Sequence, residues 1–398
     1  MGLKILSSDR SLLTNPLEIF LSLLKPPILW LDGLKSSAFP CLLDYVTIHS
    51  VWVTSSLSDL LTPTAIALGN FDGLHLGHQK VLRPILPRSS VFFANSGSLN
   101  SGALDLESSE GLTDESLIED LYPTVVTFHP HPKAFFTGED WNLLTPLSEK
   151  IDDLAAFGIK QLVRLPFNAR LASLSPQDFV TNILVERLQA RRISIGSDFC
   201  FGYQRQGTAQ DLQAIAQTFG IEVTITPLVS GEDFSCDRIS SSRIREALAI
   251  ADLAAVTQML GRPYQLQGTV VLGQQLGRTL GFPTANLQLP PDKLLPRLGV
   301  YGVRVVLDQR FSGIHLEANA SLIGVMNLGL RPTLAGQTVT AEVHLLDWTG
   351  DLYGKTLTVF LETFLRSEKK FASLDELKAQ IALDCQQASK FFDLPQAL

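Results

Sequence analysis

The chain has 398 residues, of which 45% are hydrophobic and 18% charged, with a formal net charge of −8. That length predicts two domains, each able to bury its own core, and the composition excludes a disordered chain. The acidic balance and the lack of any Lys/Arg run exclude a sequence-independent nucleic-acid binder, which needs a basic stripe, so anionic ligands must be held locally.

Residues 1 to about 60 show weak periodicity and fit neither domain. Their apolar stretch Leu17 to Leu24, before Lys25-Pro-Pro27, is broken by Glu18. It is far short of the roughly 20 residues of a membrane span and has no clean cleavage site, so neither span nor secretory leader is expected. Cys41, Cys200, Cys236 and Cys385 form no C-x-x-C pair. That pattern suggests neither a zinc knuckle nor a disulfide framework, and it suits a reducing cytoplasm.

From Thr64 onward short apolar runs alternate with capped helical stretches. Ala65–Leu68 reads as the first strand, followed by a Gly/Asn/Asp turn and a short helix from about Gly77 that Pro84 stops or bends. Ser89 to Glu119 is rich in Ser, Gly and acidic residues and reads as a mobile insertion. Further strands are expected at Thr124–Phe128, Gln161–Leu165, Arg192–Ile195 and Ile221–Thr226. Between them, Ser148 caps a helix ending at Gly158, Ser175-Pro176 opens a second, and Thr208 opens a third that ends at Gly220. This punctuation predicts a doubly wound parallel α/β domain over about residues 64 to 247.

Asp252 to Gly261 reads as a short connecting helix, after which the period changes to alternation. Tyr264–Val271, Val300–Leu307, Ala320–Val325, Thr338–Asp347 and Thr356–Leu361 are expected strands of a β-rich second domain. The capping box Ser373-Leu-Asp-Glu376 starts a closing helix with Leu374, Leu377, Ile381, Ala388 and Phe391 on its buried stripe.

Two stretches carry chemistry. In Gly69-Asn-Phe-Asp-Gly-Leu-His-Leu-Gly-His78 a strand exit runs through a tight turn into a helix start, where exposed N–H groups favour a nucleotide phosphate. Gly69, Gly73 and Gly77 let backbone approach it. His75 and His78 are placed to donate hydrogen bonds to the oxygens of a pentavalent phosphorus. The plain alternative is a Gly-rich turn with two surface histidines. Arg238-Ile-Ser-Ser-Ser-Arg-Ile-Arg245, with three arginines around a helix start, is a second phosphate clamp. Thr127-Phe-His-Pro-His-Pro132 reads as a rigid substrate-contacting loop in preference to a metal site at His129 and His131, since no acidic or Cys partner sits at ligand spacing.

The other stretch is Gly277-Arg-Thr-Leu-Gly-Phe-Pro-Thr-Ala-Asn286. Thr284 and Asn286 offer two hard oxygen donors suited to Mg²⁺ on nucleotide phosphates; a structural loop is the alternative. On the strand Thr338–Asp347, Val339, Ala341, Val343 and Leu345 share one face and Glu342 and His344 the other. Glu342 is thus displayed either as a general base or as an ordinary solvated charge. Gly354-Lys-Thr356 mimics the end of a P-loop, but Thr349 stands where Gly is needed and strand follows.

With these motifs in order, the chain resembles the prokaryotic bifunctional riboflavin kinase/FMN adenylyltransferase (FAD synthetase) family over about Val51 to Phe392. Further marks are Gly196-Ser-Asp-Phe-Cys-Phe-Gly202, Asn327-Leu-Gly-Leu-Arg-Pro-Thr333, Gly350-Asp-Leu-Tyr-Gly354 and Leu365-Arg-Ser-Glu-Lys-Lys-Phe371. The resemblance implies a nucleotidyltransferase-like, Rossmann-like α/β domain over 51–247, with 89–119 inserted, and an antiparallel flavokinase β-barrel with a terminal helix over 248–398. Residues 1–50 are an extension of unknown role.

The resemblance further implies that riboflavin is phosphorylated by ATP to FMN, with Glu342 as base and Gly277, Thr284 and Asn286 on Mg²⁺ and nucleotide. FMN is then adenylylated by ATP to FAD and pyrophosphate, with His75 and His78 at the reacting phosphorus. Gly69, Asn70, Phe71, Asp72, Gly77, Asp198, Arg238, Ser241, Ser242 and Arg245 are implied to bind ATP, and His131, Asn327 and Arg366 the flavin. Departures from the family pattern are Asp198 for a common Asn, Ser242 for a common Thr, and His129 at a position commonly acidic. Riboflavin, FMN and ATP are the expected partners, without nucleic acid or membrane and with at most a weak homo-oligomer. An adenylyltransferase for another acceptor is disfavoured by the intact Gly281 to Asn286 and Glu342 elements, and a flavin carrier without turnover by His78, Arg245 and Glu342.

Overall fold

The computed structural model describes residues 51–87, 121–229, 238–273, 276–307, 321–333 and 336–393, all within one unit spanning His49–Leu398. The expectations for residues 1–50 and for the Ser-rich insertion lie outside these residues, as do Cys41 and Cys236; Cys200 and Cys385 are free thiols.

Six strands form the first sheet: β1 Trp52–Thr54, β2 Thr64–Leu68, β3 Tyr122–His129, β4 Gln161–Pro166, β5 Ala190–Gly196 and β6 Glu222–Thr226. Their order is β1-β4-β3-β2-β5-β6, and every pair is parallel. All five residues of β2 are buried, as expected of a central strand covered on both faces. One apolar layer groups Val81, Leu82 and Leu154, and the other Phe179, Leu184 and Leu212. The chain leaves β2 toward β3 and β4 and returns on its other side as β5 and β6. The carboxyl end of β2 is therefore the switch point, where open α/β sheets leave a crevice.

Two expectations need correction here. Trp52–Thr54 pairs with β4, so the sheet begins inside the stretch of weak periodicity and just after the boundary at 51 that the resemblance implies; three residues are too few to show a period. The helix expected at Ser148 runs from Leu147 to Ala156 with Pro146 at its N-cap, because Leu147 packs against the sheet layer. Ser175 and Thr208 cap as expected, Thr208 with a full capping box. The Ser175 helix continues as a seven-residue π-helix, Phe179–Val185.

Helices Ser241–Ile250 and Leu253–Leu260 lead into β7 Tyr264–Val271, β8 Ala285–Gln288, β9 Gly299–Leu307, β10 Leu322–Thr333, β11 Gly336–Leu345 and β12 Thr356–Arg366. These close as an antiparallel barrel, β10-β11-β8-β7-β12-β9. Ala341, Val343 and Leu345 face its core as the alternation predicts, whereas Val339, expected on the same face, is exposed. Strand β8 and the short helix Leu276–Leu280 are not among the elements expected from the sequence. A four-residue strand beside a five-residue helix carries no periodic signal.

The closing helix spans Leu374–Asp393, and Ser373 caps it through the Glu376 N–H. Leu374 and Phe391 are exposed, which corrects the expected stripe. The helix covers the barrel from its middle toward its C-terminal end, where Ala388 packs on Val300 and Val325, and its first turn is exposed.

Candidate active sites

At the switch point, Gly69, Asn70, Phe71, Asp72, His75, Gly77, His78, His131, Asp198, Arg238, Ser241, Ser242 and Arg245 all line one cavity of about 640 Å³. Sequence places these residues on four separate segments; the topology gathers them at the ends of β2, β3 and β5 and at the start of helix Ser241–Ile250. Arg243, the third arginine of the expected clamp, is not among the lining residues.

His75 is the N-cap of helix Leu76–Leu82, and its Nδ1 accepts the His78 N–H at 3.2 Å. An accepting Nδ1 puts the ring proton on Nε2, so His75 can donate only from that nitrogen. The rings of His75 and His78 stack at 3.6 Å. Burial, only partly offset by Asp72, pushes His75 down to about 4. Burial also holds His78 well below the usual imidazole range, with His75 adding to the effect. Both rings are neutral donors at neutral pH. His131 repeats the device: its Nδ1 accepts the Lys133 N–H at 3.2 Å, and burial pushes it to about 4.

Asp72 organises the turn. Its Oδ2 pairs with Arg245 at 2.5 Å, its Oδ1 accepts the Thr145 N–H, and its carbonyl accepts the Ser241 hydroxyl at 2.8 Å. Gly73 stands at φ +94°, and a Cβ there would lie 2.9 Å from Leu144, so only glycine fits. Arg238 pairs with Asp198 at 2.5 Å across the rim, which answers the departure at position 198: the added carboxylate arrives with a cation.

Three contributors were not legible in the sequence. Lys150 donates to the Asn70 carbonyl at 2.9 Å, and Thr145 Oγ1 accepts the Gly73 N–H at 3.0 Å. Trp141 stacks on His131 with Arg245 4.6 Å above its ring. All three lie on one loop and helix start, where no pattern marks a partner. Beyond them the cavity turns aromatic, with Phe128, Phe136, Phe167 and Phe199. Among the described residues, no group of three or more His, Cys, Asp or Glu is placed to hold a metal.

The second constellation lies on the barrel. In β-sheet register Glu342 of β11 stands opposite Asn286 of β8 on one side and Asn327 of β10 on the other. His344, two residues along the same face, contacts the Pro283 carbonyl through Nδ1 at 2.8 Å. The Asn286 side chain lies so close over Gly273 that a Cβ there would clash, and Thr284 lies against Gly277. Gly277, Thr284, Asn286, Asn327 and Glu342 are thus brought together. Arg366 ends β12, where its guanidinium grips the buried Asp384 of the closing helix at 2.8–3.1 Å.

A family model described as riboflavin kinase matches residues 260–392, and one described as FAD synthetase matches 58–91 and 111–243. The bifunctional riboflavin kinase/FMN adenylyltransferase of Escherichia coli (strain K12) is 38% identical over 333 residues, 83% of this chain and 93% of that protein. The Haemophilus influenzae protein of the same description is 35% identical over 84% of this chain and 96% of its own length. A crystal structure described as a macrolide-efflux protein from Streptococcus pneumoniae superposes with a TM-score of 0.67 at 28% identity, covering 85% of this chain and 99% of that one. No helix among the described residues is long and apolar enough to cross a membrane.

Proposed function

The chain belongs to the bifunctional riboflavin kinase/FMN adenylyltransferase family, and on that premise we propose that the barrel constellation makes FMN and the switch-point cavity converts it to FAD. The observation that carries this division is the separation of a carboxylate flanked by two Asn residues on the barrel from a carboxylate-tied, imidazole-lined cavity on the parallel sheet.

On the barrel, Glu342 takes the proton of riboflavin's terminal ribityl hydroxyl as that oxygen attacks the γ-phosphorus of ATP. The bond from γ-phosphorus to the bridging oxygen breaks and ADP leaves. Thr284 and Asn286 fit Mg²⁺, since two neutral oxygens suffice for an ion that arrives on nucleotide phosphates. When bound, that ion neutralises the phosphate charge. Asn327 holds the flavin beside Glu342.

In the cavity, a phosphate oxygen of FMN attacks the α-phosphorus of ATP and pyrophosphate departs. That nucleophile is already ionised, so no base is needed, which suits a site whose imidazoles are held neutral. His75 Nε2–H and His78 act as donors to the phosphorus oxygens, Arg238 and Arg245 exchange their carboxylate partners for phosphate, and the aromatic end takes the isoalloxazine ring. We place the reactions in the cytoplasm, without nucleic acid or membrane partner and with at most weak self-association.

The test is incubation with riboflavin, ATP and Mg²⁺ followed by separation of flavins. His78→Ala should stop at FMN. Glu342→Gln should cut riboflavin phosphorylation by about 10²- to 10⁴-fold and leave FMN adenylylation intact. Loss of the same single step in both variants would refute the division of labour.

A further inference from the structure

The segment Leu143–Lys150 is held from two sides. Toward the ATP-site turn, Thr145 bonds the Gly73 N–H and Asp72, and Lys150 bonds the Asn70 carbonyl. Toward the barrel, Leu143 runs beside Lys293 as a parallel bridge, with Leu143 N–H donating to Asp292 at 2.6 Å and Leu294 N–H donating to Leu143 at 2.7 Å. The Leu144 carbonyl accepts Lys293 Nζ at 2.7 Å, and the Tyr264 hydroxyl, 3.2 Å from that carbonyl, makes its shorter bond at 2.7 Å to the Leu294 carbonyl on the other side of the bridge. Leu144 itself is fully buried in the barrel's apolar cluster, not in either layer of the sheet.

Lys293 is also paired with Glu149 at 2.6 Å with both side chains wholly buried, and its ammonium stands 4.3 Å from the Tyr264 ring centre. Burial pushes Lys293 down and Glu149 up, each opposed by the other. A buried ion pair is weak evidence for stability, because apolar residues of similar size serve as well. A charge-assisted bond to one carbonyl, by contrast, fixes position.

We propose that Lys293, a barrel residue, is a positioning residue for adenylyl transfer: it sets the Leu144 carbonyl while Tyr264 holds the Leu294 side of the same bridge, and through Thr145 and Lys150 the pair sets the backbone of Asn70–Gly73. The proposal rests on the assignment of adenylyl transfer to that turn. It makes the cavity incomplete without the barrel, although every residue read as an ATP contact there lies before residue 248.

The test uses the full chain with FMN and ATP, and in parallel with riboflavin and ATP. Lys293→Met combined with Glu149→Gln removes both buried charges. It should lower kcat for adenylylation at least tenfold, change KM for ATP by less than about threefold, and leave riboflavin phosphorylation within about threefold. Glu149→Gln alone, which keeps the Lys293 donor, should hold adenylylation within about twofold. Tyr264→Phe, a one-atom deletion, should lower adenylylation about threefold and settles the matter if the double variant does not fold. Unchanged adenylylation in Tyr264→Phe and the double variant, or parallel loss of both activities in step with melting temperature, would overturn the proposal. A wild-type chain that makes neither FMN nor FAD would instead overturn the assignment of the reactions.

Discussion

His75 and His131 each spend Nδ1 on a helix-start N–H, a task usually given to Ser, Thr, Asp or Asn. A cap that must accept cannot be protonated, so cap and neutral ring enforce one another. The consequence is a pH dependence of stability. His75 binds fewer protons folded than unfolded between its native value of about 4 and the ordinary 6.5. Its contribution is complete above pH 6.5 and is lost as pH falls toward 4, with on the order of 2 kcal/mol gone by pH 5. His75→Asn keeps a capping acceptor without the titration, so urea unfolding of that variant at pH 7 and pH 5 should show a shallower fall than wild type. At the rim, Asp198→Asn removes the carboxylate that occupies Arg238. KM for ATP in adenylylation should drop severalfold and become more salt-sensitive, measured at two ionic strengths; an unchanged KM would mean Arg238 does not meet the triphosphate.

At the scale of elements, the helix Leu374–Asp393 is fastened by a polar clasp, Arg366 on the nearly solvent-free Asp384. Asp384→Ala would leave the half-buried guanidinium without its acceptor and should lower the melting temperature by several degrees and slow riboflavin phosphorylation, with adenylylation near wild type. This clasp also marks where sequence ceased to be legible. Long elements with apolar alternation, such as β7 and β11, stood out because their patterns repeat. Capped helices stood out because Ser175, Thr208 and Asp252 are local signals. Asp384 on a buried stripe, Lys150 under the Asn70 carbonyl and Trp141 between His131 and Arg245 owe their roles to partners far away in the chain. Spacing carries no trace of such contacts. That the Gly69–His78 residues share one cavity was legible because one motif holds them.

For the molecule as a whole, a parallel sheet and a closed barrel hold the two constellations apart on one chain, and in the proposed division of labour the product of one is the substrate of the other. His78→Ala and Glu342→Gln chains mixed in equal amounts should therefore make FAD from riboflavin and ATP, as neither does alone, with a lag that shortens as enzyme concentration rises. Continued accumulation of FMN without FAD would mean the intermediate does not reach a second chain. The Leu143–Leu294 bridge has its own consequence during synthesis. The α/β layers are complete in sequence once β6 has left the ribosome, yet the two segments that meet there, at Leu143 and Lys293, lie about 150 positions apart. Until residue 294 emerges, the nascent chain carries a finished sheet whose ATP-site turn still lacks its brace.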